Sequence, residues 1–532
     1  MQKLKLTLIP ILTGILLVLY SWYVSYPVSI DSPYDFIYNN ISPIYWLGSV
    51  ILFASFFTLA INTKNNILRW ILVFGTFLLI YPLKYFYYMI PGSDAHAFRS
   101  LTEYFTLTGD LSSKPYHYYY QWPLFFILNK VGTSITGLDL RCFEFILYAT
   151  IGFVLSTSVY LYTTKAGADG YVAVISFFII QRYFFNYQWA PFSISVSLLF
   201  LLIALDSYAF RKHQVTLTML IIFLSMTLTH AFVPLFYIIY ELMRLMMSKD
   251  KRYLKLFGLT LIIYLAVLIF YATSYFPNLV QQLTSVYTLE YTKQVEATLA
   301  GSATPTPYVD VIARTFSRTV TITTIVITAT GFIMLLIKRK LRNVDYAILL
   351  TGVLYSAIGL LLPVLGTRGL TFVAIPASLG ASYLTESKFK KYFKYVFLIV
   401  IILFTFVIIH KTFYDRQIFH QTKKEYKCSN FVINNYNWQN PSILLSHFRV
   451  MQYVQKRSLS EDVVFRDDFK NKNFPEDMKD YDCVVYTVGL GKSFLRLNYS
   501  IQKSLSEFEL NHFNLIYNSG NFSYTFLTSS QK

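Results

Sequence analysis

Apolar runs of about twenty residues recur along most of this chain with short basic connectors between them, and nothing else constrains the fold as much. A run of that length crosses the hydrocarbon core of a bilayer as an α-helix. Inside that core the helix satisfies its own backbone polar groups. The runs fall at 5–25, 43–62, 67–88, 141–163, 169–187, 191–209, 214–229, 231–247, 253–273, 319–338, 344–363, 367–384 and 392–411, which makes thirteen. The pair 214–229 and 231–247 also reads as one long helix kinked around His230, Ala231 and Pro234. The first run is long and lacks a following small-residue cleavage site, so it is expected to be an anchor. Composition agrees with the pattern: the chain is 55% hydrophobic and only 14% charged, against about 25% charged in a soluble domain. The expected fold is an α-helical polytopic membrane domain over 1–411.

The charges order these runs. Lys3 and Lys5, Lys64 and Arg69, Lys165, Arg211 and Lys212, Lys249 to Lys255, Lys338 to Arg342 and Lys388 to Lys394 occupy alternate connections. By the positive-inside rule those connections are cytoplasmic. The N-terminus is then inside, and the segments 26–42, 89–140, 274–318 and the tail from 412 are extracytoplasmic. The Asn-x-Ser sequons at Asn40, Asn498 and Asn521 fall on that same outer side. The net charge of +18 sits in short clusters between apolar runs, so it points to membrane topology and not to nucleic acid.

The tail, 412–532, changes character. Ser442 to Ser446, Asp462 to Phe465 and Cys483 to Thr487 are short β-type runs, and Leu515 to Leu527 reads as a hairpin turning at Asn518-Ser-Gly520. About 120 residues suffice for a separate core, so a small α/β extracytoplasmic domain is expected. Cys428 and Cys483 both lie there, and their pairing is not readable from spacing. Gly489-Leu-Gly491 lacks the rest of a dinucleotide fingerprint.

Candidate chemistry lies on the outer side. Pro91-Gly-Ser-Asp94-Ala-His96 ends the third run. A carboxylate at that boundary can take a proton from a hydroxyl, or can join the imidazole in holding a divalent cation such as Mg or Mn. The competing reading is a helix cap. Phe98, Leu101, Tyr104, Phe105 and Leu107 then follow helical spacing, as in a helix lying in the interface. Around Lys114 to Pro123, His117 and Trp122 belong to an aromatic cluster that suits either a sugar-binding wall or an interfacial belt. His230 follows Thr229 at an outer helix end and reads as a substrate-lining residue or a packing residue. Arg368, and Arg314 with Arg318 one helical turn apart, stand at outer helix starts, where a guanidinium clamps phosphate or snorkels to headgroups. Ala297 to Pro307, rich in small residues with two prolines, reads as a lid or a plain linker.

These features resemble the GT-C superfamily of integral-membrane glycosyltransferases, in particular prokaryotic members with a trailing extracytoplasmic domain. The resemblance covers about residues 67–411. It is carried by Asp94 in the first large outer loop, the Gly-Ser-Asp-Ala-His string, Thr229-His230, and Arg368 ahead of Pro376. It implies an inverting transfer of sugar from a polyprenyl-phosphate donor to a glycan, lipid or protein acceptor. Asp94 would be the base, with His96 beside it, and Arg368, Arg314 and Arg318 would hold the donor phosphate. Many members pair two acids where this chain has Asp94 and His96, so the resemblance alone does not assign a metal. Two other functions fit a chain of this kind. One is a polysaccharide ligase or polymerase working on lipid-linked substrates. The other is a lipid or sugar transporter or flippase, which usually carries ionisable residues at mid-membrane. Asp206, Glu241 and Asp345 are expected near inner helix ends instead.

Overall fold

The computed structural model describes residues 2–26, 41–80, 93–109, 121–184, 190–209, 213–248, 251–273, 308–361, 368–386, 395–397 and 399, with five strands between 443 and 528. Fourteen helices are present among them: α1 (Gln2–Ser25), α2 (Pro43–Asn62), α3 (Asn66–Ile80), α4 (Ser93–Thr108), α5 (Leu124–Thr136), α6 (Leu140–Lys165), α7 (Gly170–Phe184), α8 (Pro191–Ala209), α9 (His213–Thr227), α10 (Val233–Ser248), α11 (Lys251–Phe270), α12 (Tyr308–Ile337), α13 (Asn343–Leu361) and α14 (Arg368–Glu386). Twelve of the thirteen expected runs are separate helices. Of the thirteenth, only 395–397 and 399 are described.

Four segments are long and apolar enough to cross a membrane: Leu8–Ser25, Pro43–Asn62, Leu140–Lys165 and Arg252–Phe270. Several shorter helices are similarly apolar. In α1 and α11 only 17% of the apolar window is buried, so Ile9, Leu16, Ile262, Ile269 and Phe270 stand outward. Apolar surface that continuous is costly in water and costs little in lipid.

The helices pack as alternating up and down rods. Trp70 Nε1 donates to Thr157 Oγ1 at 2.9 Å, and Tyr160 donates to the Asn66 carbonyl, which sets α3 antiparallel to α6. Ser195 reaches the Met226 carbonyl, joining the start of α8 to the end of α9. The region around His230 resolves into two helices with a turn between them, not one kinked helix. Lys338 and Lys340 lie over the Tyr383 ring, and Gly331 meets Gly380, so α12 and α14 run parallel. At that crossing a Cβ on either glycine would come within 2.0 Å of backbone oxygen. The small residues let two backbones touch, as membrane helices commonly do.

These contacts divide the bundle into two ends. The described connections after α2, α6 and α12 share one end, with the last turn of α10. Lys64, Arg69, Lys165 and Lys338 to Arg342 lie in or beside them. The turn around His230 and the starts of α4, α5, α6, α8, α10 and α14 belong to the other. Among the described connections, the basic clusters fall at one end.

The tail contributes β1 (Ile443–Leu445), β2 (Val463–Phe465), β3 (Cys483–Thr487), β4 (Phe513–Asn518) and β5 (Ser523–Thr528), ordered β2-β1-β3-β5-β4. β1 pairs parallel with β2 and β3, and β5 pairs antiparallel with β3 and β4. The strands occupy the β-type runs of the sequence. Parallel neighbours need crossovers of a dozen residues or more, and segments 446–462 and 466–482 are long enough. The helices of an α/β domain, Cys428 and the three sequons lie outside the described residues.

Candidate active site

α4 forms because its apolar residues recur at helical spacing. Phe98, Leu101 and Tyr104 are buried, and Thr102, Thr106 and Thr108 return their hydroxyls to carbonyls four residues back. Gly109 ends it at φ 76°, its N–H donating to the Phe105 carbonyl. A left-handed residue of this kind is how many helices close. Asp94 and His96 therefore occupy the first turn of a helix, and their side chains lie outside the described residues. At 100° per residue the two positions stand about 200° apart around the axis. A cation shared between them gains no support from that spacing.

A buried ion pair fixes this helix. Arg99 Nε and Nη2 donate to the two oxygens of Glu144 in α6, both at 2.5 Å, and the side chains are 1% and 0% exposed. Such a two-pronged pair sets orientation as well as distance. Asp139 caps α6 by accepting the Cys142 N–H at 2.7 Å, with Arg141 at 3.6 Å. Partial burial pushes the Asp139 carboxyl up, but the hydrogen bonds from Cys142 and the Arg141 charge outweigh it and hold it below the usual carboxylate range.

α5 runs alongside α4 in the same direction. Phe98 packs on Phe125 at 5.7 Å, and Lys130 lies over the Phe105 ring. Trp122, just ahead of α5, is thus at the same end as the Asp94 turn. The Leu124 N–H donates to the Leu228 carbonyl, and Trp122 clusters with Ala231 and Ala272, which ties this end to the α9–α10 turn. His230 accepts the Phe232 N–H on Nδ1 at 3.2 Å, placing its ring proton on Nε2, and meets Phe192 at 5.1 Å. Trp122 is 1% and His230 4% exposed. Both rings are packing residues in this structure, for bulky planar groups fill the joint between two helix hairpins.

Tyr355 of α13 donates to the Phe232 carbonyl at 2.9 Å. The later half of α13, and so the start of α14 at Arg368, belongs to this same end. Arg368 is 12 residues and Arg318 13 residues before the Gly331–Gly380 crossing. At about 1.5 Å rise per residue both stand roughly 20 Å from it along parallel helices. α12 begins at Tyr308, well before the expected 319, so Arg314 and Arg318 lie within the helix and not at its base. Their side chains and that of Arg368 lie outside the described residues, as do His117 and the 297–307 segment.

Among the ionic clusters that escaped the sequence reading, two frame the bundle. One is Arg99–Glu144. The other, at the opposite end of the bundle, gathers Asp206 of α8, Tyr240 and Arg244 of α10 and Tyr253 of α11. The signal in each case was a charge inside an apolar run, such as Phe143-Glu-Phe145. Among the described residues no three His, Cys, Asp or Glu group together as a metal site would require. No family model matches the chain, and no curated protein matches it.

Proposed function

We propose that this chain is a multi-pass membrane glycosyltransferase of GT-C type, transferring sugar with inversion from a polyprenyl-phosphate donor to a glycan, lipid or protein acceptor. In this reading about thirteen helices span the membrane. The basic end is cytoplasmic, and the tail forms a small extracytoplasmic α/β domain. One observation carries the reading. Asp94, Trp122, His230 and Arg368, spread over almost three hundred residues of sequence, belong to helix ends and turns at one end of the bundle, away from the basic connections, with Arg318 inside α12 at the level of Arg368.

The chemistry asks for that placement. The donor lipid lies in the bilayer with its phosphate at the interface, and the acceptor arrives from water. The acceptor oxygen attacks the anomeric carbon while the bond to the phosphate oxygen breaks. Polyprenyl phosphate leaves with the electron pair, and the Asp94 carboxylate takes the acceptor proton. Arg368, with Arg314 and Arg318, stabilises the charge gathering on the leaving phosphate. The first turns of α4 and α14 add positive helix-terminal fields. A divalent cation, if the donor brings one, would find Asp94 as its ligand on α4.

The test is transfer by the purified full chain from a panel of polyprenyl-phosphate sugars, read as release of polyprenyl phosphate. Asp94→Asn keeps the size and capping ability of the side chain and removes its charge. It should leave a folded protein that binds donor but turns over at least about a hundredfold more slowly. Near-wild-type transfer by that variant would remove the base and weaken the whole reading.

A second reading, a transporter, is favoured by one observation. Glu241 is wholly buried, seven residues before the end of α10, or about 10 Å along its axis. Ionisable groups inside a membrane span commonly mark ion pathways or proton relays.

A further inference from the structure

Tyr237, Tyr240, Glu241 and Arg244 occupy one face of α10, at i, i+3, i+4 and i+7, and all four are buried. Across from them Asp206 of α8 is also buried. Its Oδ2 accepts from Tyr240 and from Arg244 Nε at 3.2 Å, while Arg244 also donates to Tyr253 of α11. The hydrogen bonds stop there. Asp206 Oδ1, both carboxyl oxygens of Glu241 and the Tyr237 hydroxyl are buried and make no hydrogen bond of good geometry, although Tyr237 lies near enough to Glu241 to act on it. Asp206 acts on Glu241 electrostatically, and Arg244 does so with opposite sign.

The charges do not balance. Two carboxylates face one guanidinium, which leaves one negative charge in an apolar interior. Among the described side chains of the elements packed on α10, none supplies the missing cation; on α11, Arg252 and Lys255 are exposed. The acid of α13, Asp345, is already held by Arg342 and Tyr162. The described side chains of α9, from Thr216 to Thr227, carry no ionisable group. An uncompensated buried carboxylate costs several kcal/mol, and four unpaired oxygens add to that.

We propose that Glu241, Asp206 and Tyr237 form a buried binding site for one monovalent cation, supplied either as a proton or as a sodium-sized alkali ion. A single positive charge restores neutrality. A proton on Glu241 supplies the missing donor, whereas an alkali ion takes the four oxygens as ligands. The inference rests on this cluster and not on the glycosyltransferase reading.

The test uses the purified full chain in lipid nanodiscs. Thermal unfolding is followed in sodium chloride against choline chloride at constant ionic strength. In parallel, infrared difference spectra are recorded for the carbonyl stretch of a protonated carboxylic acid. An alkali ion gives saturable, sodium-specific stabilisation that is lost in Glu241→Gln. A proton gives no sodium preference, a carboxylic-acid band at neutral pH that disappears in Glu241→Gln, and stability that falls as pH rises because the native state holds the extra proton. If Glu241→Gln does not fold, Tyr237→Phe serves instead. It should weaken sodium binding about fivefold, the loss of one polar contact, or shift the infrared band. A wild-type protein showing neither sodium specificity nor a protonated-acid band overturns the proposal, as do both signals unchanged in these variants.

Discussion

The two ends of the bundle handle charge differently. At the basic end most ionic groups close on one another, and Glu241 is left without a counter-ion of its own among the described residues. Arg342 holds Asp345 at 2.9 Å with Tyr162 beside them, and Arg244 joins Asp206 to Tyr253. Each of these groups bridges elements whose order is set by the connections, so charge there serves helix assembly. At the opposite end one closed pair, Arg99–Glu144, underpins a short helix whose first turn carries an acid. At the same end α14 starts on Arg368, and Arg318 lies within α12 at its level. In the proposed reading the outer end keeps one rigid support and offers Asp94 and Arg368 to a substrate, whereas charge at the basic end serves packing, Glu241 apart.

The sharpest break of this comparison is the support itself. Arg99→Ala leaves Glu144 buried and uncompensated, a loss of about 3–5 kcal/mol. Denaturant unfolding should report it, and Glu144→Gln should cost less, because it removes the charge without emptying the space. If Arg99→Ala is as stable as the parent, α4 is not anchored by this pair. Next comes the α12–α14 crossing that levels Arg318 with Arg368. Gly380→Ala pushes a methyl into the Thr328 carbonyl and should cost about 1–3 kcal/mol, measured the same way. Gly258→Ala, which meets nothing within 4 Å, is the control and should be neutral or slightly stabilising.

Smaller effects refine the outer chemistry. Arg368→Lys keeps the charge and loses the fork, so donor affinity should fall about tenfold, one charge-assisted hydrogen bond's worth. Unchanged affinity would leave Arg368 as a headgroup anchor. The smallest effect is at Asp139. Removing its cap by Asp139→Ala should cost about 1 kcal/mol. Because the folded carboxyl titrates below its ordinary range, its contribution is present above the unfolded value near pH 4 and fades as pH falls through the folded one. The variant and the parent should therefore converge in stability in acid, and a gap that persists there would contradict a charged cap.

Much of this was legible in the sequence because it is written in local periodicity. Apolar run length located twelve helices, the spacing of Phe98, Leu101 and Tyr104 marked α4, and the β-type runs of the tail coincide with the five strands. Alternation of Lys and Arg clusters agrees with the ends at which the described connections lie, while the sequence left open whether His230 kinks one helix or separates two. What escaped is non-local. Arg99 and Glu144 are 45 residues apart and Asp206 and Arg244 are 38 apart. No periodicity links such partners; only the packing of helices does. The same cause put Glu241 on a buried face of α10, gave His230 the packing one of its two expected readings, and buried Trp122 at a joint instead of leaving it in a wall or belt. The start of α12 was missed because Tyr308 to Arg318 is too polar to read as part of an apolar run.

Whether the candidate residues share one end is most directly measured by electron–electron distances between spin labels. Pairs at positions 94 and 368, and at 94 and 342, would be introduced in a chain with Cys142, Cys428 and Cys483 replaced by serine. The 94–342 pair should span the depth of the bundle, about 30 Å, and the 94–368 pair should be clearly shorter. A 94–368 distance equal to or longer than the 94–342 distance would put Asp94 and Arg368 at different ends and contradict a shared site.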